Sequence, residues 1–238
     1  AGFEIHTPLQ PVFNILNGNN GKMYYSPGIL NVESSVNYPV SEKRLYTDEQ
    51  YKEIIRNISD NLKGIEWTEE YLNSLLEVME ANLSYVPSST SKSELPDISL
   101  FDHVKLTAAI ASCIQSYAEE QGLTDYREAF YRDSKKFYQE KAFLLASLDM
   151  SGIQAFIYTI STRDALRTLR ARSFYLEIMM EHITDELLMK CGLSRANLIY
   201  SGGGHCYLLL PNTEECRSGF DLYIGEVNQW LLDYFQTA

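Results

Sequence analysis

The sequence predicts an α+β protein of two parts, a helical first part followed by a βαββα unit. Three observations carry that expectation. The stretch Tyr200-Ser-Gly-Gly-Gly-His-Cys-Tyr-Leu-Leu-Leu-Pro211 reads as two strands folded about a glycine turn. An apolar run at 142–150 leads straight into Ser151-Gly152-Ile153-Gln154, a second place where a strand gives way to small polar residues. Upstream, Leu72, Leu75, Leu76 and Met79 fall at i, i+3, i+4 and i+7, the stripe of a helix with one buried face.

Residues 1–45 are short apolar runs broken by Pro8, Pro11, the Asn/Gly cluster at 17–21, Pro27-Gly28 and Pro39, which suits irregular strands and turns. A small hairpin is expected at 22–25. Thr47, with Gln50 three residues on, forms a capping box for a helix running to about Leu62 before Gly64. Trp67-Thr68 opens the next helix. Residues 84–97, with Pro87, five serines and Pro96, read as an exposed loop. Ser99 then caps an Ala-rich helix whose small residues permit close packing. Residues 124–141, charged and tyrosine-rich without amphipathic period, read as a linker. Beyond it the pattern gives a strand at 142–150, a helix start, a long helix at about 172–191, strands at 196–201 and 205–210, and a helix at about 214–235.

A chain of 238 residues can hold two modest cores, and its 45% apolar and 22% charged content is that of an ordinary globular protein. No run approaches the roughly 18 apolar residues that span a bilayer, and the first residues lack the pattern of a secretory signal. No membrane association is predicted, and the expected compartment is the cytoplasm. A net charge of -12 argues against loose attraction to phosphate backbones. It leaves room for a local basic surface. Arg163, Arg167, Arg170 and Arg172 lie within ten residues, and they fit either a solvated helix face or a contact to phosphate or RNA. Cys113, Cys191, Cys206 and Cys216 form no C-x-x-C pair, and no histidine stands in a zinc-ligand spacing. Zinc is therefore not predicted. Asp102 and His103 sit in the first turn of their helix, where an acid suits the helix dipole and where the pair could also serve a metal or a substrate.

The βαββα order is most of a ferredoxin-like unit, the frame of the palm domains of nucleotide polymerases and cyclases. Their chemistry needs carboxylates at the end of the first strand and in the hairpin turn, to hold Mg²⁺ against a triphosphate. Here Asp149 stands at the strand end, but the hairpin reads Gly202-Gly203-Gly204-His205, without an acid. Such a turn can offer backbone N–H groups and a flat surface to a nucleotide. It cannot assemble a two-metal site by itself.

Three blocks, Leu148-Asp-Met-Ser-Gly-Ile-Gln-Ala-Phe-Ile-Tyr158, Leu169-Arg-Ala-Arg-Ser-Phe-Tyr-Leu-Glu177 and Asn197-Leu-Ile-Tyr-Ser-Gly-Gly-Gly-His-Cys-Tyr-Leu-Leu-Leu-Pro-Asn212, resemble the large subunit of type III-A (Csm) CRISPR effector complexes. Val86-Pro-Ser-Ser-Thr90 and Ser99-Leu-Phe-Asp-His-Val-Lys-Leu-Thr-Ala-Ala109 resemble the end of its HD-type nuclease domain. The resemblance implies the C-terminal part of an HD-type helical domain at 1–123, a linker at 124–141 and the first, ferredoxin-like palm at 142–238. In that family the HD domain degrades single-stranded DNA, and two palms together turn ATP into cyclic oligoadenylates once foreign RNA is captured.

By the same resemblance Asp149, Ser151, Gly152, Gly202, Gly203, Gly204 and His205 would face ATP, and Arg163, Arg167, Arg170 and Arg172 would contact RNA or a partner. Mg or Mn would be held mostly from outside this chain, with Asp102 and His103 lining the nuclease metal site. The implied partners are other Csm subunits, guide and target RNA, and the second palm of the same subunit. The His-Asp dipeptide, the Gly-Gly-Asp-Asp hairpin and the cysteine-rich insertion of the family are absent from this sequence. The chain alone is therefore expected to be inactive. A rival reading is an RNA-binding or assembly module with a vestigial nucleotide pocket, and a stand-alone palm cyclase is disfavoured by the acid-free hairpin.

Overall fold

The computed structural model describes residues 2–16, 18, 22–32, 36–66, 68, 71–158 and 165–235, and the chain divides into two compact units, residues 1–107 and 108–238. The first unit holds α1 (Phe13–Leu16), α2 (Asp48–Leu62), α3 (Leu72–Leu83) and the start of α4 (Leu100–Glu120). Among the described residues its extended segments form isolated bridges, Phe3 with Ser91, Tyr24 with Val40 and Pro87 with Ser99. The hairpin expected at 22–25 is thus replaced by a long-range pairing, in which Tyr24 and Val40 exchange both backbone bonds at 2.8 Å.

The capping box on α2 forms as the sequence predicts: Thr47 Oγ1 accepts from the Gln50 N–H, and the Gln50 carboxamide accepts from the Thr47 N–H. The expected start at Trp67 lies outside the described residues, and α3 begins at Leu72. Tyr46, Ile54, Leu83, Val86 and Phe101 form the core here, joined by Leu76 and Met79 of the predicted stripe. Burial pushes the Tyr46 phenol well above its ordinary range, and its O–H donates to the Tyr85 carbonyl at 2.9 Å.

The second unit is α+β. It contains the remainder of α4, a π-helical turn at Glu128–Arg132, α5 (Ser134–Phe137), β1 (Phe143–Asp149), α6 (Ile153–Tyr158) and α7 (Ala165–Lys190). A 3-10 turn at Arg195–Asn197, β2 (Leu198–Gly202), β3 (His205–Pro211) and α8 (Glu214–Phe235) complete it. The expected linker carries the two helical turns after α4, and Phe130 and Phe137 meet edge to face at 4.7 Å. The long helix starts seven residues before the expected 172, because Ala165, Leu166, Leu169 and Ala171 are good helix formers between the arginines. No described helix is long and apolar enough to cross a membrane.

The sheet is antiparallel with order β1-β3-β2. Pairing runs in register from Phe143 with Pro211 to Asp149 with His205, while β2 pairs β3 through a bulge between Leu198 and Tyr200. Period-2 alternation divides each strand between two faces. On one face Cys206, Leu208 and Leu210 meet Met180, Leu187 and Leu188 of α7 and Cys216 of α8, with Leu144, Ala146 and Leu148 beside them. Each fully buried leucine there contributes about 1.5–3 kcal/mol. A second cluster, Leu176, Met179, Ile183 and Leu231, with Ile153 and Phe156 against it, ties α6 to α7 and α8.

Candidate functional site

The hairpin turn is two residues long, between the paired Gly202 and His205. Gly203 and Gly204 have φ of 64° and 82°, the left-handed conformation that a type I′ turn requires at both central positions. Gly204 is needed for a second reason. A Cβ there would stand 2.1 Å from Ile153 Cδ1, so the turn lies directly against the start of α6. The Met150 N–H donates to the Gly204 carbonyl at 2.9 Å, which fixes the end of β1 to the same turn. Gly152, at φ 76°, then reverses the chain into α6.

The structure therefore brings the two glycine turns together. Asp149 and His205 pair across the strands at this end, with His205 Nδ1 3.4 Å from Asp149 Oδ1, and the Asp149 side chain is 75% exposed. The His205 ring meets Tyr207 edge to face at 4.7 Å. On the helical side, a cleft of about 450 Å³ opens from Met150, Ser151 and Gly152 and is walled by Ile153, Phe156, Leu176, Met179, Leu231 and Phe235. Its rim is polar and its walls are apolar. That combination suits a flat ring system carrying a polar tail. Gly202 to His205 do not line this cleft; they reach it through Ile153 and Met150.

Arg172 also lines the cleft, but its guanidinium is committed internally: it donates to the Phe156 carbonyl and lies 5.0 Å from the Phe156 ring centroid. Arg167 and Arg170 are exposed on α7, and Arg163 lies outside the described residues. The arginine cluster thus divides into one structural residue and two surface ones. Asp102 is spent on its own helix: Ser99 Oγ accepts from the Asp102 N–H at 3.0 Å and donates to Asp102 Oδ2 at 2.7 Å. His103 beside it is exposed. Among the described residues no three His, Cys, Asp or Glu side chains gather within metal-holding reach. Asp149 offers one carboxylate without a second, so the residues here do not build a Mg²⁺ site on their own.

Sequence reasoning missed the cleft walls Phe156, Leu176, Met179, Leu231 and Phe235. The signal was present as spacing. Leu176 and Met179 stand at i and i+3 on α7, and Leu231 and Phe235 at i and i+4 on α8, which predicts a shared apolar face but not the gap left in it.

The profile of the family described as Csm1 subunit domain B matches residues 142–238. Over 231 residues the chain is 47% identical to the CRISPR system single-strand-specific deoxyribonuclease Cas10/Csm1 (subtype III-A) of Mycobacterium tuberculosis, covering 97% of the chain and 29% of that protein. The protein of the same description from Enterococcus italicus is 44% identical over 239 residues, covering 99% and 32%. Among solved structures, a Csm1-Csm4 cassette in complex with pppApApA superposes with a TM-score of 0.77 at 31% identity, covering 99% of the chain and 30% of that chain. One in complex with one ATP gives 0.76 at 30% identity, covering 98% and 29%. The chain spans about 30% of the length of the curated relatives it matches.

Proposed function

Because the chain belongs to the Cas10/Csm1 family of type III-A large subunits, we propose that residues 142–238 form the first palm of such a subunit and bind ATP without supplying its metal ions. The observation that carries this reading is the junction of two glycine turns over the rim of an apolar cleft. The base of ATP enters the cleft against Phe156 and Met179. Its phosphates lie toward Ser151, Gly152 and the Gly202–Gly204 turn, whose missing side chains leave backbone groups open to a close anion. Asp149 and His205 flank that end of the site. Sheet order β1-β3-β2 with α7 and α8 on one face supports the ferredoxin-like assignment, and residues 1–123 are the corresponding remainder of an HD-type domain.

What the chain's own residues do is bind, orient and exclude water. Two-metal chemistry needs carboxylates from a second palm, so cyclic oligoadenylate synthesis belongs to the whole subunit and the chain alone is inert. Any metal role of Asp102 and His103 likewise completes a site whose other ligands come from elsewhere. The relatives solved as Csm1-Csm4 complexes support a Csm4-like partner, and guide and target RNA belong to the same proposal. Among the described residues the rival reading, an RNA-binding module, rests on Arg167 and Arg170, because Arg172 is tied to Phe156.

The test fills the cleft in the full-length subunit. Ala155 lines it while exposed, so Ala155→Phe narrows the space without disturbing a core. ATP affinity and cyclic oligoadenylate yield are expected to fall at least tenfold, roughly 1.4 kcal/mol, while single-stranded DNA cleavage persists. Unchanged ATP affinity, measured by calorimetry, overturns the assignment. Unchanged ATP affinity joined to loss of RNA binding in Arg167→Ala with Arg170→Ala would establish the rival.

A further inference from the structure

Of the four cysteines, two are sealed singly and two touch. The Cys113 thiol donates to the Leu209 carbonyl at 3.6 Å, and the Cys206 sulfur accepts from Thr184 Oγ1 at 3.8 Å; both residues are fully buried. Cys191 and Cys216 instead meet where the end of α7 packs against the first turn of α8. The Cys191 thiol reaches the Cys216 carbonyl at 3.9 Å, and the two thiols are hydrogen-bonded to each other. Helix caps fix both backbones. The Cys191 N–H donates to the Leu187 carbonyl at 3.1 Å, and Gly192, at φ 65°, ends α7 by returning the Leu193 N–H to the Leu188 carbonyl at 2.8 Å. On α8 the Cys216 N–H donates to Thr213 Oγ1 at 3.2 Å. A Cβ on Gly219 would touch the Lys190 carbonyl oxygen at 3.7 Å, so the two helices are in contact along this turn. Cys216 is 3% exposed and Cys191 is half-buried: one thiol meets solvent and the other lies behind it.

We propose that Cys191 and Cys216 are a redox-modifiable dithiol, oxidised by low-molecular-weight disulfides to an intramolecular disulfide that closes a covalent loop around the β2–β3 hairpin. The chemistry is thiol–disulfide exchange in two steps. The Cys191 thiolate attacks one sulfur of the small disulfide; that S–S bond breaks, and one small thiol leaves with the proton that Cys191 gave up. Cys216 then attacks the Cys191 sulfur of the mixed disulfide, and its proton passes to the second small thiol as that leaves. Two protein thiols are oxidised, and one small disulfide is reduced to two thiols. Exposure sets the order, because Cys191 is the member of the pair open to an incoming reagent. Contact with Cys216 also lowers the Cys191 pKa and so raises its thiolate fraction, while contact with Cys191 and burial raise that of Cys216. The loop spans residues 192–215, which include β2, the glycine turn and β3. A cross-link there removes freedom from the unfolded chain and joins the folded helices where they already touch. The pair lies about 18 Å along α7 from Met179 of the cleft, at 1.5 Å per residue, so the inference stands apart from the nucleotide reading.

The experiment incubates the folded full-length subunit with oxidised glutathione, blocks the remaining thiols with N-ethylmaleimide and reads tryptic peptides by mass spectrometry. The expected product is a disulfide joining the peptide Cys191–Arg195 to Ala196–Arg217, about 2 Da below the summed reduced peptides, with fragment ions placing the second sulfur on Cys216 and not on Cys206. Dithiothreitol should reverse it. In Cys216→Ser the exchange should stop at its first step, leaving roughly tenfold more glutathione on Cys191 than in the parent. A parent that keeps glutathione on Cys191 without closing the disulfide, or in which Cys191 stays a free thiol, overturns the pair. A cross-link that forms only in urea overturns it as well, since it then belongs to the unfolded chain. Should Cys216→Ser fail to fold, the parent digest alone decides.

Discussion

The two faces of the three-stranded sheet both carry large apolar side chains, and they differ in what covers them. On the covered face Cys206 and Leu208 are fully buried under α7 and α8; on the other, Leu145 and Tyr200 stand more than half exposed one or two positions along the same ladder. Their difference shows that stability is concentrated on one face, which leaves the other free to hold large rings at no cost to the core. Substitutions on the two faces should therefore differ in their effect on folding.

The largest effect is expected on the covered face. Leu208→Ala removes a fully buried side chain from the central strand, between Leu198 of β2 and Ala146 of β1. A loss of about 2–5 kcal/mol is expected from urea unfolding followed by circular dichroism. A loss below 1 kcal/mol would mean that α7 and α8 do not seal this face. Gly204→Ala comes next, at about 3 kcal/mol, because it combines left-handed strain with displacement of Ile153. Gly203→Ala, equally left-handed but facing open space, carries the strain alone and should cost about 1 kcal/mol. The gap between the two measures how firmly the hairpin turn is pressed on α6.

Asn197→Ala should cost less than Leu208→Ala, about 1–3 kcal/mol. The Asn197 carboxamide is buried and donates to the Leu209 carbonyl at 2.9 Å and the Ala109 carbonyl at 3.3 Å, stitching α4 to the end of β3. Removing it leaves the Ala109 carbonyl to Ser112 Oγ and the Leu209 carbonyl to the weaker Cys113 thiol donor. The nearby Cys113 thiol is pushed up to about 11 by burial, so it should resist alkylation at pH 8 in the parent. Faster labelling of Cys113 in Asn197→Ala, read by mass spectrometry, would show that this stitch closes α4 over the strand.

Much of this arrangement was legible in the sequence, and the part that was not has a physical reason. The strands, the glycine turn and the capping box are local, set by alternation, turn chemistry and a Thr/Gln pair three residues apart. The contact of Gly204 with Ile153 and Met150 and the cleft behind Ile153 are tertiary, and spacing along one element carries no record of what another element leaves empty. Arg172 illustrates the limit best. In sequence it is one of four similar cations; in the structure a carbonyl and a ring on α6 claim it. Tyr24 illustrates the converse, since a plausible local hairpin yielded to pairing with Val40.

The smallest expected effect tests the comparison most sharply. Leu145 and Leu208 belong to adjacent strands, yet Leu145 is 69% exposed where Leu208 is fully buried. Leu145→Thr exchanges exposed apolar area for a β-branched residue suited to a strand, so stability should stay within about 0.5 kcal/mol of the parent. The same exchange shortens the apolar margin beside Ser147 and Tyr207 and leaves the rings in place. A loss above about 1.5 kcal/mol in urea would mean that Leu145 is packed in solution, and this face would then be a second core rather than a surface.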